Sequence, residues 1–359
     1  MEKTLLNDTH RALNAKMVEF SGWEMPISYQ GILAEHHEVR ERVGIFDLSH
    51  MGKIDIEGED AEQFIDYLST NRLIQKPDLS ATYTVWMHEA GGSVDDLIVY
   101  RHHSKHFFVI VNAANRQKDL NHLQRYARDW NVKIHPRFAE EGILAVQGPQ
   151  ALAAVSSLFP QANHLKPMHF QKAIYEGAPL ILAATGYTGA GGFELIAQLK
   201  SIPPLWEYFT TQQKVAPIGL GARDTLRLEM GYALYGHELS DTISPNESVS
   251  AWTVKMTQTD FLGKAALMQL EQSGRKRFAY GIQLLGSGIA REGYQVFFQE
   301  QLIGKVSSGT FSPSLNKAIA LILVNQPLNE KEIIFVAVRQ QMIPAQIVKL
   351  PFVNPGKIQ

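Results

Sequence analysis

Three stretches of the chain put charged side chains where strand or helix geometry would aim them inward. In GGSVDDLIVY (91–100) two adjacent carboxylates, Asp95 and Asp96, open an apolar run. Along a strand, successive side chains point to opposite faces, so Asp95 goes with Leu97 and Val99, and Asp96 with Ile98 and Tyr100. The pair therefore cannot act as a dyad on one face. Two readings stand. Both residues sit in a turn before the strand, solvated or capping backbone donors, or one projects into a cavity. There, partial burial suits a carboxylate to proton transfer or to stabilising a developing cation.

TGYTGAGGFEL (185–195) has the glycines of a phosphate cradle, but they precede the strand-like FELIAQ rather than a helix. This argues for a hairpin loop and against a dinucleotide fingerprint. Glu194 stands between Phe193 and Leu195, and a lone buried carboxylate is costly. It must face solvent or pair with a cationic or multi-donor ligand. In GLGARDTLRLEMGYALYGHEL (219–239), Arg223, Asp224, Arg227 and Glu229 fall on one helical stretch, and the four-residue spacing puts Arg223 and Arg227 on one face. Helix-surface ion pairs are the default for such charges; a guanidinium fork on a ligand carboxylate is the functional alternative. His36-His37 and His102-His103 with His106 give poor metal spacing, and no metal is expected.

The elements that must position these groups follow from periodicity. Residues 31–43 read as a helix, with Ile32, Val39 and Val43 inward about His36, Glu and Arg on the other face, and Gly44 marking its end. A second helix starts near Asp60 with Phe64, Ile65 and Leu68 inward, and Leu120, Leu123, Ala127 and Trp130 mark a third. Strands are predicted over 53–57, 82–88, 95–101 and 107–111, with 89–92 as a hairpin connection. Three more strand-like runs follow residue 142, then a helix over 220–229. A helix over 264–272 and the basic run 275–277, read as a solvated linker, lead into a tail of short apolar alternations. That tail predicts a separate all-β domain.

At 359 residues the chain supports two or three domains, and a net charge of −2 lacks the basic excess of a nucleic-acid binder. Cysteine is absent, which removes disulfides, thiolate metal sites and cysteine nucleophiles, and fits a reducing compartment. With no signal-peptide pattern and no apolar run long enough to span a membrane, the chain reads as cytoplasmic, complete and most simply bacterial.

Pattern alone stops at a multidomain α+β protein. Beyond it, the motifs FSGWEMPISY, GIFDLSHMGKI, GGSVDDLIVY, VNAANRQKDL, LAVQGP, ATGYTG, FEL, GLGARDTLRLEMGYALYGHEL, AWTVK, FLGK, VSSGTFSPSL and KLPFV occur in this order. In them the chain resembles the glycine cleavage system T-protein family, tetrahydrofolate-dependent aminomethyltransferases, over nearly its whole length. The resemblance implies an α+β, three-domain cloverleaf of antiparallel sheets around a central channel. Residues 1–51 with 138–240 and 52–137 with 241–274 would form two interwoven domains, and 275–359 a C-terminal β-barrel domain. It implies transfer of a one-carbon unit from the aminomethyl-lipoyl arm of H-protein to tetrahydrofolate, the co-substrate, releasing ammonia. Folate would enter the channel from one side and the lipoyl arm from the other.

By residue, the resemblance makes Asp95 the catalytic aspartate and Asp96 structural. Glu194 becomes the pterin ligand and Arg223 the arginine of the folate site, with Tyr83, Met51, Asn112 and Tyr187 lining the pocket. One departure stands out: the family usually reads GYTGE, and here Ala190 replaces that glutamate. Rival readings are a related folate-dependent demethylase and a non-catalytic folate-binding protein. The first lacks a flavin domain here, and the second would carry a cysteine motif that this chain does not have.

Overall fold

The computed structural model describes residues 1–257 and 260–354; residues 258, 259 and 355–359, which fall within the expected domain boundaries, lie outside it. Two large antiparallel-rich sheets, a small three-stranded sheet of Glu2–Lys3, Trp23–Ser28 and Lys16–Phe20, and a barrel organise the described chain. The first sheet runs Phe170–Tyr175, Ala178–Ala183, Gly192–Gln198, Glu141–Gln147, Gly44–Asp47 and Ala216–Pro217. The second runs Ser80–Met87, Ser93–His103, His106–Val111, Gly52–Glu57 and Lys133–Pro136. Six strands between Phe278 and Val348 close the barrel.

Each large sheet has a helix-covered face with its own apolar core. Phe193, Leu195 and Ala197 point into one core with Leu205 and Trp206. Leu97 and Val99 point into the other with Phe64, Ile65, Leu120 and Leu123 from the helices Ala61–Leu68 and Arg116–Tyr126. The opposite faces meet across a third core, in which Ile196, Ala145 and Phe46 of the first sheet join Tyr100, Phe108 and Ile110 of the second. From Leu97 to Tyr100 and from Phe193 to Ala197, strand alternation thus divides the apolar side chains between a private core and the inter-sheet face. The channel opens beside that inter-sheet core.

The expected hairpins form at 89–92 and, between Ala178–Ala183 and Gly192–Gln198, at 184–191. The Leu220–Glu229 helix has its expected bounds. The Ile32–Glu41 helix ends three residues before Gly44, which begins a strand instead of capping the helix. There a Cβ would stand 2.3 Å from a side-chain carbon of Ile218, so glycine serves close packing. The polar residues of the Ile32–Glu41 helix divide: Glu35, His36 and Arg40 are buried, whereas Glu41 is exposed, and so is Ile32, which was expected inward.

The reason is the Leu220–Glu229 helix, against which that helix packs. Arg40 donates from Nε and Nη2 to Oε2 of Glu229, at 3.0 and 2.9 Å. Glu229 also accepts from the backbone N–H and hydroxyl of Ser314, at 3.1 and 2.9 Å, and from the hydroxyl of Ser312. Arg227 donates to Asp224, Glu238, the Tyr232 carbonyl and the Ser308 hydroxyl. Arg227 keeps the expected same-helix pair with Asp224 while itself buried, whereas Glu229 pairs with Arg40 of the other helix instead. Together they join the helix to the barrel. The 275–277 run is solvated as expected, with Arg275 and Lys276 exposed, and two of its side chains form ion pairs: Arg275 with Glu271, and Arg277 with Glu247.

Candidate active site

A cavity of about 860 Å³ opens between the sheets, the Leu220–Glu229 helix and the barrel rim. Met51, Tyr83, Asn112, Tyr187, Glu194 and Arg223 line it. Asp95 does not, and Asp96 does. Neither aspartate sits in a turn, for the strand begins at Ser93. Asp95 lies on the Leu97/Val99 face and is fully buried toward the helix-covered core; Asp96 lies on the Ile98/Tyr100 face. The side chain that faces the cavity is therefore Asp96, and not Asp95 as expected. The two side chains do alternate across the strand. Which face was the channel face depended on how the second sheet is stacked on the first.

Asp96 is held at both oxygens. The Tyr83 hydroxyl donates to Oδ2 at 2.9 Å and Asn112 Nδ2 to Oδ1 at 3.1 Å. Burial pushes the Asp96 carboxyl up to about 7, and the neighbouring Asp95 charge adds to this, against the pull of the Tyr83 and Asn112 hydrogen bonds. A carboxyl poised there exchanges protons near neutral pH. Asp95 accepts from the Asn112 backbone N–H at 3.0 Å, from Asn112 Nδ2 at 2.9 Å and from Asn115 Nδ2 at 2.6 Å. Asn112 Nδ2 thus touches both aspartates.

Glu194 comes from the first sheet, on the same face as Ile196. Its Oε2 accepts from the Tyr100 hydroxyl, at 3.2 Å, and from the Thr185 hydroxyl. No described residue donates to Oε1. Tyr100 therefore joins the two sheets at the cavity wall. Arg223 is half-buried and makes no ion pair among the described residues; its guanidinium carbon lies 4.6 Å from the Tyr187 ring centroid. Such stacking fixes the plane of the guanidinium while leaving its N–H fork available. Tyr187 is anchored by its hydroxyl to the Ala233 carbonyl.

His50 also lines the cavity, and sequence reasoning passed it over. Burial pushes its imidazole down to about 3, with Arg223, Lys53 and Arg116 adding to the shift against Asp47, so the ring is neutral. Ala190 packs against the inter-sheet core and is not among the cavity-lining residues. Among the described residues no group of three or more His, Asp or Glu side chains has a metal-holding arrangement. His36 instead meets Thr225 and Ser314, and His102 stacks on His106.

A cavity with a proton-exchanging carboxyl, an open acceptor carboxylate and an unpaired, stacked guanidinium belongs to a group-transfer enzyme for a polar, partly planar substrate. The fold agrees with the crystal structure of glycine cleavage system aminomethyltransferase T from Bartonella henselae, with a TM-score of 0.92 and 30% identity over 98% of both chains. Residues 6–258 match the GCVT N-terminal domain, and residues 277–354 the glycine cleavage T-protein C-terminal barrel domain. An aminomethyltransferase of Chlorobium phaeovibrioides is 42% identical, covering 99% of this chain and 100% of its own. One of Staphylococcus carnosus is 40% identical, covering 97% of each. The chain belongs to the glycine cleavage T-protein family, whose members use tetrahydrofolate. It is an enzyme, the aminomethyltransferase of the glycine cleavage system. No described helix is long and apolar enough to cross a membrane.

Proposed function

We propose that the cavity binds tetrahydrofolate as co-substrate and receives the aminomethyl-lipoyl arm of H-protein, yielding methylene-tetrahydrofolate, ammonia and the dihydrolipoyl arm. The observation that carries this reading is the open Oε1 of Glu194, set in one cavity with the unpaired Arg223 and with Asp96. A pterin edge presents N–H donors, and the open Oε1 of Glu194 is placed to accept a charge-assisted hydrogen bond from that edge, Oε2 being held by Tyr100 and Thr185. Arg223, stacked on Tyr187, offers its fork to an anionic or carbonyl group of the same ligand. Met51 and the Tyr83 and Tyr187 rings supply apolar wall.

The folate supplies two nitrogens that accept the carbon, and their two protons end on the ammonia and the thiol, so the transfer balances without an oxidant. Asp96 takes up and returns a proton at its Oδ atoms. Tyr83 and Asn112 hold its plane, and the inter-sheet core excludes bulk water from its back. Positioning and fixed dipoles of this kind lower barriers by several kcal/mol. Asp95 supports Asn112 and does not touch the substrate.

We further propose that 1–51 with 138–240, 52–137 with 241–274, and 275 onward are the folding units, and that the enzyme works in the cytoplasm, as its lack of cysteine fits. The reconstituted assay uses lipoylated H-protein carrying the aminomethyl group, with and without tetrahydrofolate. Ammonia release that depends on both supports the reading. Equal or better transfer from a small methylated amine would replace it with a demethylase.

A further inference from the structure

Behind Asp96 lies a buried carboxyl that the reaction does not use. Asp119, on the Arg116–Tyr126 helix, is 0% exposed, and neither of its oxygens receives a hydrogen bond from any described N–H or O–H group. An ionised carboxylate so placed would carry the full cost of desolvation. Its neighbour is the carboxyl of Asp95, also 0% exposed. Neither residue makes an ion pair among the described residues. Two carboxyl groups in contact without a cation cannot both be ionised.

The hydrogen bonds decide which one keeps the proton. Asp95 faces three N–H donors, from Asn112 and Asn115, and so presents acceptor lone pairs. Asp119 faces none and so is the acid. We infer that Asp119 is a positioning residue for the transfer reaction: its protonated carboxyl donates to Asp95, and the anion this stabilises holds Asn112 Nδ2 against Asp96.

The chain of contacts runs from Asp119 through Asp95 and Asn112 to Asp96 and Tyr83. Other charged and titratable groups do not interrupt it. Lys118, the preceding residue on the helix, turns to the Tyr235 hydroxyl at 2.6 Å and to Asp241 at 3.5 Å. Tyr235 in turn donates to the Ser93 carbonyl and to Asp241. Burial pushes Asp119 well above the usual carboxylate range, and the Asp95 charge adds to it, in keeping with the proton's place.

The inference rests on the reading of Asp96 as the reacting carboxyl, so it is tested by two readouts. The first is independent of activity. Infrared spectra of the full-length protein carrying Asp96→Asn, near pH 7, should contain a protonated-carboxyl C=O band that disappears on adding Asp119→Asn. Persistence of the band unchanged would overturn the assignment of the proton. The second is kinetic, in the otherwise native enzyme. Asp119→Asn keeps an N–H donor toward Asp95 and should retain kcat within about threefold, whereas Asp119→Ala should lower kcat by about tenfold or more with little change in KM for folate. Activity of Asp119→Ala equal to native, or a loss in Asp119→Asn as large as in Asp119→Ala, would remove the positioning role. If Asp119→Ala does not fold, the infrared comparison and the Asn variant decide. A band that behaves as expected in a protein that transfers no aminomethyl group would separate failure of the function from failure of this inference.

Discussion

The Tyr83 hydroxyl lies 2.9 Å from Oδ2 of Asp96 and 3.1 Å from the Ser250 hydroxyl. The cavity carboxyl is thus gripped by a residue of the adjacent strand, which is itself steadied from the 248–250 loop. This grip makes the two consecutive aspartates separable by experiment.

Asp96→Asn should lower kcat for folate-dependent ammonia release by roughly a hundredfold or more, the range for loss of a general acid–base group. Asp95→Asn should retain more activity and should instead lose about 1–3 kcal/mol of stability in urea, because its buried donors lose their anionic acceptor. Greater catalytic damage from Asp95→Asn at unchanged stability would return the reacting role to Asp95.

Acting as a base, Asp96 must be ionised, so kcat should rise with pH through about 7, the region to which burial has raised this carboxyl. Asp95 contributes to that rise as a like charge. Removing it in Asp95→Asn should therefore move the limb to lower pH, and a pH profile that stays in place would show that the limb belongs to another group.

Glu194→Gln keeps shape but loses the charge that accepts pterin N–H groups. Tetrahydrofolate affinity measured by calorimetry should fall by about tenfold to a hundredfold, as for one charge-assisted hydrogen bond. Unchanged affinity would put the pterin elsewhere in the cavity.

Arg223→Lys keeps a charge but loses the stacked plane over Tyr187, and Arg223→Ala loses both. Folate affinity should fall in both variants and further in the second, while stability changes little, since no described residue forms an ion pair with Arg223. A large stability loss with intact binding would make Arg223 a structural residue.

Glu229→Gln should cost about 3–5 kcal/mol in chemical denaturation, because Arg40 would remain buried without its counter-charge. The wild-type carboxyl is held down at about 2: burial alone would raise it, but His36, Ser312 and Arg40 outweigh that. A depressed acid contributes stability that is present above its unfolded pKa and lost as pH falls through the folded one. That contribution should therefore disappear between about pH 4 and pH 2. Acid unfolding that is the same in both proteins would count against it.

Much of this was legible in the chain itself. Strand alternation separated Asp95 from Asp96, and set Glu194 apart from its neighbours Phe193 and Leu195, because the side-chain period of two does not depend on anything distant. The helix over 220–229 and the all-β tail were set by local periodicity. Family motifs supplied the aminomethyltransferase activity, and six of the seven residues they nominated line one cavity.

What the chain could not specify was which side of a strand is the channel side. Leu97 and Ile98 are equally apolar, and only the stacking of one sheet on the other turns Ile98, and Asp96 with it, toward the cavity. The same holds for charges on helices. Arg227 and Glu229 look like surface residues until the barrel closes over them with Ser308, Ser312 and Ser314. Asp119 is an ordinary helix aspartate until it meets Asp95 in the core. Local periodicity fixes a side chain's direction relative to its own element. Whether that direction leads to water, to a private core or to a cavity is decided by residues far away in sequence, and so by the tertiary structure alone.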